Sequence, residues 1–449
     1  MLSTSKYISY LGIHIALAAI VFVFPFIAKI YLIFIFLYGF YYVVKNQNKN
    51  NEVLIVAGYI VGAEVFLRAT DAALLYEFSK YGVILFIFIG MFYSGFSKNA
   101  VPYWLYLLLL IPSIIIATFV LNASTEDRKI ISFTISGPVC LGIASLYTYQ
   151  RKIHINSIYS ILLAIGLPII SLTTYLILFN PSVRDVVTGT DSNFETSGGF
   201  GPNQVATVLG LGLFIFLSRV VLQSKNSLLL LVNFILAVII AFRAIVTFSR
   251  GGVFTAIIMF VALLINVYFL SNTKSRIKLI YFIAFATLTT FMVWGYSALE
   301  TNGMIEKRYS NQDASGRVKE SRLTGREMLI GEELKTFFEN PILGVGVGKS
   351  MEIRKAATEV NAASHNEVSR LLAEHGSLGI VMLLILIFTP LFLYFDNKQN
   401  IFMFPFLLFW FLTINHAAMR IAAPAFIYAL SLLKVRFISP EIPPIENQN

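Results

Sequence analysis

Cysteine is almost missing from this chain. Cys140 is the single one among 449 residues, so an intramolecular disulfide and a thiolate metal cluster are both excluded. Charge is scarce as well: Asp, Glu, Lys and Arg make up 13% of the residues, against roughly 25% in soluble domains, which excludes an ordinary soluble enzyme. The five histidines are scattered one by one without metal-ligand spacing, so no metal and no cofactor is expected. Lys6 is the only basic residue ahead of the first apolar run, which continues unbroken to about residue 24. That run therefore reads as a retained first span and not as a cleaved signal. Fixed-period repeats and low-complexity stretches are also lacking.

What the chain has instead is hydrocarbon. Hydrophobic residues are 57% of the whole and the mean hydropathy is +0.76. Apolar runs recur that are each about right for crossing a roughly 30 Å hydrocarbon core as a helix. They lie near 8–24, 27–44, 53–69, 80–96, 103–121, 130–148, 157–179, 203–218, 227–246, 252–270, 278–298, 376–395, 401–415 and 418–434. The expected fold is all-α, a polytopic transmembrane helical bundle of 12–14 spans with one large extracytoplasmic helical loop. Its expected divisions are a bundle over 1–298, a cap over 299–375, and final spans with a cytoplasmic tail over 376–449.

The formal net charge of +10 has a topological explanation. Lys45, Lys49, Lys98, Arg151, Lys152, Arg219, Lys225, Lys274, Arg276, Lys278, Lys398, Lys434 and Arg436 fall in alternate loops or the tail. By the positive-inside rule both termini are expected in the cytoplasm, and nucleic acid is not expected as a partner. The same alternation puts the loop 180–202, the junction 247–251, the segment 299–375 and the turn near 416 outside. Segment 299–375 holds eleven Lys/Arg and twelve Asp/Glu, a nearly neutral balance that suits a small folded cap.

Two capping boxes organise that cap. Thr324-Gly325-Arg326-Glu327 predicts a helix from about 325 to 338 that stops before Asn340-Pro341, with Arg326 in its first turn. Ser364-His365-Asn366-Glu367 predicts a second helix that runs to about 375 and stops at Gly376, with His365 as its first residue. A histidine at the positive end of a helix is held neutral near pH 7, and a neutral imidazole can take a proton from a hydroxyl. The bland alternative is a surface histidine that merely starts a helix. Between the boxes, Gly344, Gly346 and Gly348 lack the Lys-Ser/Thr pairing of a P-loop and read as tight turns and close packing.

Arg250, in Thr247-Phe248-Ser249-Arg250-Gly251-Gly252, and Arg243, two turns earlier, interrupt apolar surroundings. Arginine in a span must face a polar cavity or an anion, although snorkelling accounts for Arg250 alone. Read as one helix face, the two guanidiniums suit a ligand with several negative charges such as a pyrophosphate. Gly198-Gly199-Phe200-Gly201-Pro202-Asn203-Gln204 makes a tight re-entry turn with Asn203 near a helix start. Asn415, His416 and Arg420 form a further polar cluster that either lines the same cavity or simply makes a turn.

Taken in order, these pieces resemble the O-antigen ligase and polymerase family of membrane glycosyltransferases. The matching residues are Gly198 to Asn203, Ser249-Arg250-Gly251, Gly325-Arg326, Asn340-Pro341 with Gly344 and Gly346, and His365-Asn366 followed by Gly376 and Gly379. The resemblance covers roughly residues 195 to 420. It implies transfer of a glycan from undecaprenyl pyrophosphate, outside the bacterial inner membrane, without metal or nucleotide. The acceptor it implies is a hydroxyl of lipid A–core in ligases and another lipid-linked glycan in polymerases. His365 matches the loop histidine proposed as general base, and Arg250 matches a membrane-edge arginine. Arg243 and Arg326 are added here as further candidates for the pyrophosphate, with Asn366, Asn203 and Arg420 in support. One departure is that Glu327-Met328-Leu329, not an aromatic, follows Gly325-Arg326.

A transporter of polysaccharide-linked lipid is the competing reading from another class, since intramembrane arginines and many spans are equally natural there. Against it stand the lack of related halves and the long cap late in the chain. Neither ligase nor polymerase is favoured strongly by the residues, and a protein-directed transferase of the same family stays open.

Overall fold

The computed structural model describes residues 3–120, 125–319, 326–358 and 364–437. Almost everything in it is helix. The first half comprises α1 (Thr4–Val23), α2 (Ile27–Asn46), α3 (Glu52–Ala69), α4 (Phe78–Ser94), α5 (Val101–Val120), α6 (Thr125–Thr148), α7 (Ile155–Phe179) and the short α8 (Val183–Val186). There follow α9 (Pro202–Leu222), α10 (Ser227–Ile245), α11 (Arg250–Leu270) and α12 (Thr273–Glu300). The cap contributes α13 (Met304–Tyr309), α14 (Arg326–Glu339), α15 (Lys349–Thr358) and α16 (Glu367–His375), and the chain closes with α17 (Ser377–Phe395), α18 (Met403–Ile414) and α19 (Ala423–Ser431).

Each of the fourteen apolar runs is a helix, so the all-α, polytopic reading stands. Among the described residues ten helices are long and apolar enough to cross a membrane, fewer than the 12–14 spans expected. The shortfall has physical causes. Residue α3 positions Glu52, Glu64 and Arg68 place three charges in one 18-residue helix, and α4 has 17 residues. The last two, α18 and α19, have 12 and 9 residues, about 18 and 14 Å at 1.5 Å per residue. They pack against each other as a hairpin whose turn, residues 415–422, is non-helical. Non-helical backbone at such a depth is tolerated only where protein or a polar cavity surrounds it.

Apolar residues point both ways, as they must when lipid is the solvent outside and side chains fill the inside. Helices α3, α7 and α9 form the buried centre; Phe66, Phe86, Phe214, Tyr147 and Trp410 are among its largest enclosed side chains. Phe92, Phe119 and Phe291 project outward. Small residues permit the tightest crossing, that of α9 with α11. A Cβ on Gly252 would lie 2.1 Å from Ala206 O, and one on Gly210 would lie 2.3 Å from Gly252 O. This crossing seats the start of α11 against the start of α9. At the end of the bundle away from the cap, β1 (Lys152–His154) and β2 (Lys434–Arg436) form one short parallel pair.

Candidate functional site

The corner between α10 and α11 is built by three residues. Thr247 Oγ1 donates to Ala244 O at 2.7 Å and accepts from Ser249 N at 3.2 Å. Between them Phe248 adopts φ +60°, a conformation disfavoured for a bulky side chain. The helix therefore stops at Ile245 and a new one starts at Arg250. Arg243 and Arg250 consequently lie on different helices, which corrects the expectation of a single face. The junction at 247–251 was expected, and the break comes from threonine recapturing the backbone.

Arg243 is buried and reaches sideways. It donates to Leu176 O at 2.8 Å, Thr196 O at 3.2 Å and Asn180 O at 3.3 Å, tying the end of α7 and the following loop to α10. Arg250 turns towards the cap and donates to Arg308 O at 3.4 Å. Arg308 itself donates to Phe248 O at 3.1 Å and lies 3.7 Å from Asp191. Burial and the neighbouring Arg250 cation lower the Arg308 pKa, and Asp191 opposes the shift. Two guanidiniums thus stand beside the strained corner, a setting that favours a polyanion. Arg308 escaped the sequence analysis because it sits in an ordinary charged cap segment. Tyr309, next to it, is pushed up to about 12 by burial.

Asn203, in the first turn of α9, joins this corner to the rest of the site. Its side-chain oxygen accepts from Ser249 Oγ at 2.8 Å, and its carbonyl accepts from Thr207 Oγ1 at 2.7 Å. Thr207 Oγ1 is in turn 3.2 Å from His416 Nε2. A Cβ on Gly251 would come within 2.5 Å of the His416 ring, so glycine is what lets the α18–α19 turn approach α11.

That turn then reaches the cap. Asn366 Nδ2 donates to Asn415 Oδ1 at 3.3 Å, and Arg420 Nη2 donates to Ser364 O at 2.9 Å. The sequence cluster Asn415, His416 and Arg420 is therefore brought together with Asn203, the Arg250 corner and the His365 turn in one hydrogen-bonded chain. Behind it, Ala422 N donates to Glu64 Oε2 at 2.8 Å. Arg68 pairs with Glu64 at 2.5 Å and donates to Gln204 Oε1 at 2.9 Å. Glu64 and Arg68 carried a signal that went unread, an ion pair at i,i+4 inside an apolar span.

His365 lies two residues before the helix it was expected to begin. Asn366 is the N-cap of α16, accepting from Val368 N at 2.8 Å and Ser369 N at 3.2 Å. Asparagine caps at least as well as serine, and here Ser364 Oγ is engaged with Glu333 and the Asn366 carbonyl. The half-buried His365 is therefore held in the turn between Ser364 and the cap, while the helix ends at His375 before Gly376 as read from the sequence. Helix α14 runs to Glu339; Thr324, Gly325 and the Arg326 side chain lie outside the described residues, so the first capping box and that arginine have no structural account.

Beneath the His365 turn, Arg370 pairs with Glu367 and, at 2.9 Å, with Glu374. Burial works against the Arg370 cation, but the two carboxylates outweigh it and raise its pKa. Glu374 also accepts from Gly348 N and Ser350 Oγ, both at 3.0 Å. Burial raises its pKa while Arg370 lowers it, and burial prevails. Gly344, at φ +69°, packs so closely on the Glu374 carbonyl that a Cβ there would sit 2.5 Å from its oxygen, which is turn and packing chemistry and not a phosphate cradle. His375 is 1% exposed, and burial followed by Arg370 lowers its pKa to about 3.

Residues 235–384 match the family model described as O-antigen ligase. Through this segment the chain is similar to the O-antigen ligase family. No curated protein matches the chain. The family segment contains Arg243, Arg250, Arg326, His365 and Asn366, whereas Asn203 and Arg420 lie outside it and join the site through the contacts above. This similarity supports a ligase- or polymerase-type function in general, on lipid-linked glycan and glycan acceptor, and with the apolar helices it points to a bacterial membrane protein.

Proposed function

We propose that this protein is a membrane glycosyltransferase of O-antigen ligase type, which moves a glycan from undecaprenyl pyrophosphate to a sugar hydroxyl of lipid A–core. The observation that carries the reading is the chain of hydrogen bonds joining the His365 turn, through Asn366–Asn415 and Thr207–His416, to Ser249 beside Arg250. In this reading the 299–375 cap and the site face the extracytoplasmic side of the inner membrane, and both termini are cytoplasmic.

The reaction is an inverting displacement that needs no metal. Neutral His365 takes the acceptor hydroxyl proton, the hydroxyl oxygen forms a bond to the anomeric carbon, and the bond from that carbon to the pyrophosphate oxygen breaks. The electron pair leaves with the pyrophosphate. Arg250 and Arg308 face the charge that grows there, with Arg326 and Arg243 as further donor-binding groups. A positioned base contributes about 10² to 10⁴ in rate, and preorganised positive charge is commonly the larger contribution.

Deleting the gene and separating surface polysaccharide on a gel tests this. Loss of long glycan from lipid A–core, with polymer accumulating on undecaprenyl pyrophosphate, supports the ligase. A single repeat still joined to core makes it a polymerase instead, with lipid-linked glycan as acceptor. An unchanged glycan pattern overturns both and returns the chain to lipid transport.

A further inference from the structure

A polar pocket of about 100 Å³ opens among α1, α7, α9 and α10, where β1 leads into α7 and α9 ends. A single water needs about 10–15 Å³ of such space, so this one suits a group of several heavy atoms. Along α9 it lies sixteen residues from Asn203, about 24 Å at 1.5 Å per residue, and is separate from the candidate site. On α7, Asn156, Tyr159, Ser160 and Leu163 follow one another at helical spacing down its wall. The lining thus passes from amide and hydroxyl at the helix start to a leucine about 10 Å deeper. That is the gradient of the boundary between lipid headgroups and acyl chains. Beside the pocket on α10, Leu228, Leu230 and Leu231 are exposed and continue the apolar surface.

Two cations line this pocket, Arg219 and Lys225, and no Asp or Glu is among its described walls. Arg219 is built in. Its guanidinium lies over the Tyr7 ring, 4.5 Å from the centroid, and donates from Nε to Asn233 Oδ1 at 3.4 Å and from Nη1 to Gln223 Oε1 at 2.7 Å. Tyr7 OH donates to the same Asn233 oxygen at 2.5 Å. These partners are neutral, so the positive charge is held in place and not cancelled. The C-terminal end of α9 favours one cation nearby; a second, on the loop 223–226, adds repulsion that an anion removes. Lys6 in the first turn of α1 and Lys152 just before α7, both exposed, give the approach the same sign.

We infer that this pocket binds the phosphodiester of an anionic phospholipid, with Arg219 and Lys225 facing the phosphate and the acyl chains lying along α10. Basic pockets between membrane helices suit such headgroups. A zwitterionic headgroup adds an ammonium that would meet two fixed cations, so phosphatidylglycerol is favoured over phosphatidylethanolamine. Inorganic phosphate shares the anionic chemistry but gains nothing from Leu163 and the leucines of α10. A lipid seated there bridges four helices and stabilises the bundle by mass action. The site goes beyond the proposed transferase reading and does not depend on it.

The test uses the full chain in detergent micelles, with phosphatidylglycerol and phosphatidylethanolamine added in equal amounts. Bound lipid is counted by native mass spectrometry, with thermal midpoints recorded for each variant. Wild type should retain phosphatidylglycerol in preference to phosphatidylethanolamine. Lys225→Gln should lower that retention by about fivefold, the effect of one basic residue near a lipid phosphate, and Arg219→Gln by at least as much. Ser160→Trp keeps both charges and fills the pocket, and it should lower retention by a similar factor. Lys49→Gln, at an exposed basic position in the α2–α3 turn, serves as control and should change nothing. Inorganic phosphate or glycerol phosphate, added in excess, should leave the lipid in place. Because Arg219 also packs on α1 and α10, Lys225→Gln and Ser160→Trp at wild-type thermal midpoints decide. Undiminished retention in both, equal retention of the two lipids by wild type, or displacement of the lipid by inorganic phosphate overturns the inference. The readout is lipid retention and not glycan transfer, so failure here leaves the transferase reading intact.

Discussion

Arg420 donates from Nη2 to the carbonyl of Ser364 at 2.9 Å, and so the turn of a membrane-buried hairpin holds the residue immediately before His365. A catalytic side chain in a cap loop is only as well placed as its neighbours make it, and misplacement by about 1 Å can cost about 10² in rate. The bond is to backbone, which makes Arg420 a positioning residue.

Arg420→Ala is expected to lower transfer in membranes by about 10², with little change in acceptor KM. Arg420→Lys should recover part of the loss, because an ammonium still reaches a carbonyl but without the planar fork. Wild-type rates in Arg420→Ala, at equal protein in the membrane, would remove Arg420 from this role.

His365→Ala and Arg250→Ala separate proton transfer from charge stabilisation. Each should lower transfer by about 10² or more, and Arg250→Ala at least as much as His365→Ala. Raising the pH should partly offset the loss in His365→Ala, since acceptor alkoxide becomes more available, and should leave the Arg250→Ala loss in place. Measured pH–rate profiles of the two variants decide it; near-normal transfer by Arg250→Ala overturns the electrostatic half of the mechanism.

Gly251→Ala places a methyl group against the His416 ring, where 2.5 Å is available. Overpacking of this kind typically costs about 1 to 3 kcal/mol. Both stability and transfer should fall, and His416→Ala in the same chain should restore much of the stability. Additive losses in the double variant would show that the two positions do not press on each other.

Acid should loosen the cap. The folded-state pKa of His375 is lowered from 6.5 to about 3, so below about pH 6.5 the unfolded chain binds a proton that the folded chain does not. Stability then falls with pH through that window at up to about 1.4 kcal/mol per unit. Glu374, whose pKa is raised, has the opposite sign: its folded form holds a proton to higher pH than its unfolded form, so it partly offsets the fall near its ordinary range. Thermal midpoints at pH 7.5 and 5.0 for wild type and His375→Leu measure the difference. The variant should lose less on acidification; an equal loss assigns the acid sensitivity elsewhere.

Arg370→Met would strand the buried carboxylates of Glu367 and Glu374, which it bridges. Breaking such a pair commonly costs about 3 to 5 kcal/mol. The triple variant with Glu367→Gln and Glu374→Gln should recover part of that stability, read from unfolding midpoints.

The helices of this fold were legible because lipid demands long apolar runs, and each of the fourteen runs is a helix. Two kinds of feature were not. The junction at 247–251 and the turn near 416 were read from the sequence, but the conformation of the Thr247–Ser249 corner and the short lengths of α18 and α19 depend on a side chain that recaptures backbone groups and on tertiary packing. Of the candidate residues read from the sequence, Asn203, Asn366 and Arg420 are joined by hydrogen bonds to the corner before Arg250 and to the turn that carries His365, a geometry that the sequence did not show. Asn366 displaced Ser364 as helix cap, and Arg243 proved to face a different neighbourhood from Arg250. Arg308 was overlooked because it sits in an ordinary charged cap segment, and Glu64 and Arg68, an i,i+4 pair inside an apolar span, gain their place at the site only through contacts with Ala422 and Gln204, more than a hundred residues away.

The abbreviated hairpin has a consequence for what the protein can take as acceptor. Helix α17 has 19 residues and α18 has 12, a difference of about 10 Å in rise. On the proposed reading, with the end of α17 and the start of α18 at the same membrane face, the floor on which Asn415, His416 and Arg420 stand is sunk below the rim set by α17, and the reaction plane is sunk with it. On the proposed reading the acceptor sugar must present its hydroxyl on a projecting tip narrow enough to enter this well, so selection among surface glycans is made by reach and girth before any individual hydroxyl is recognised.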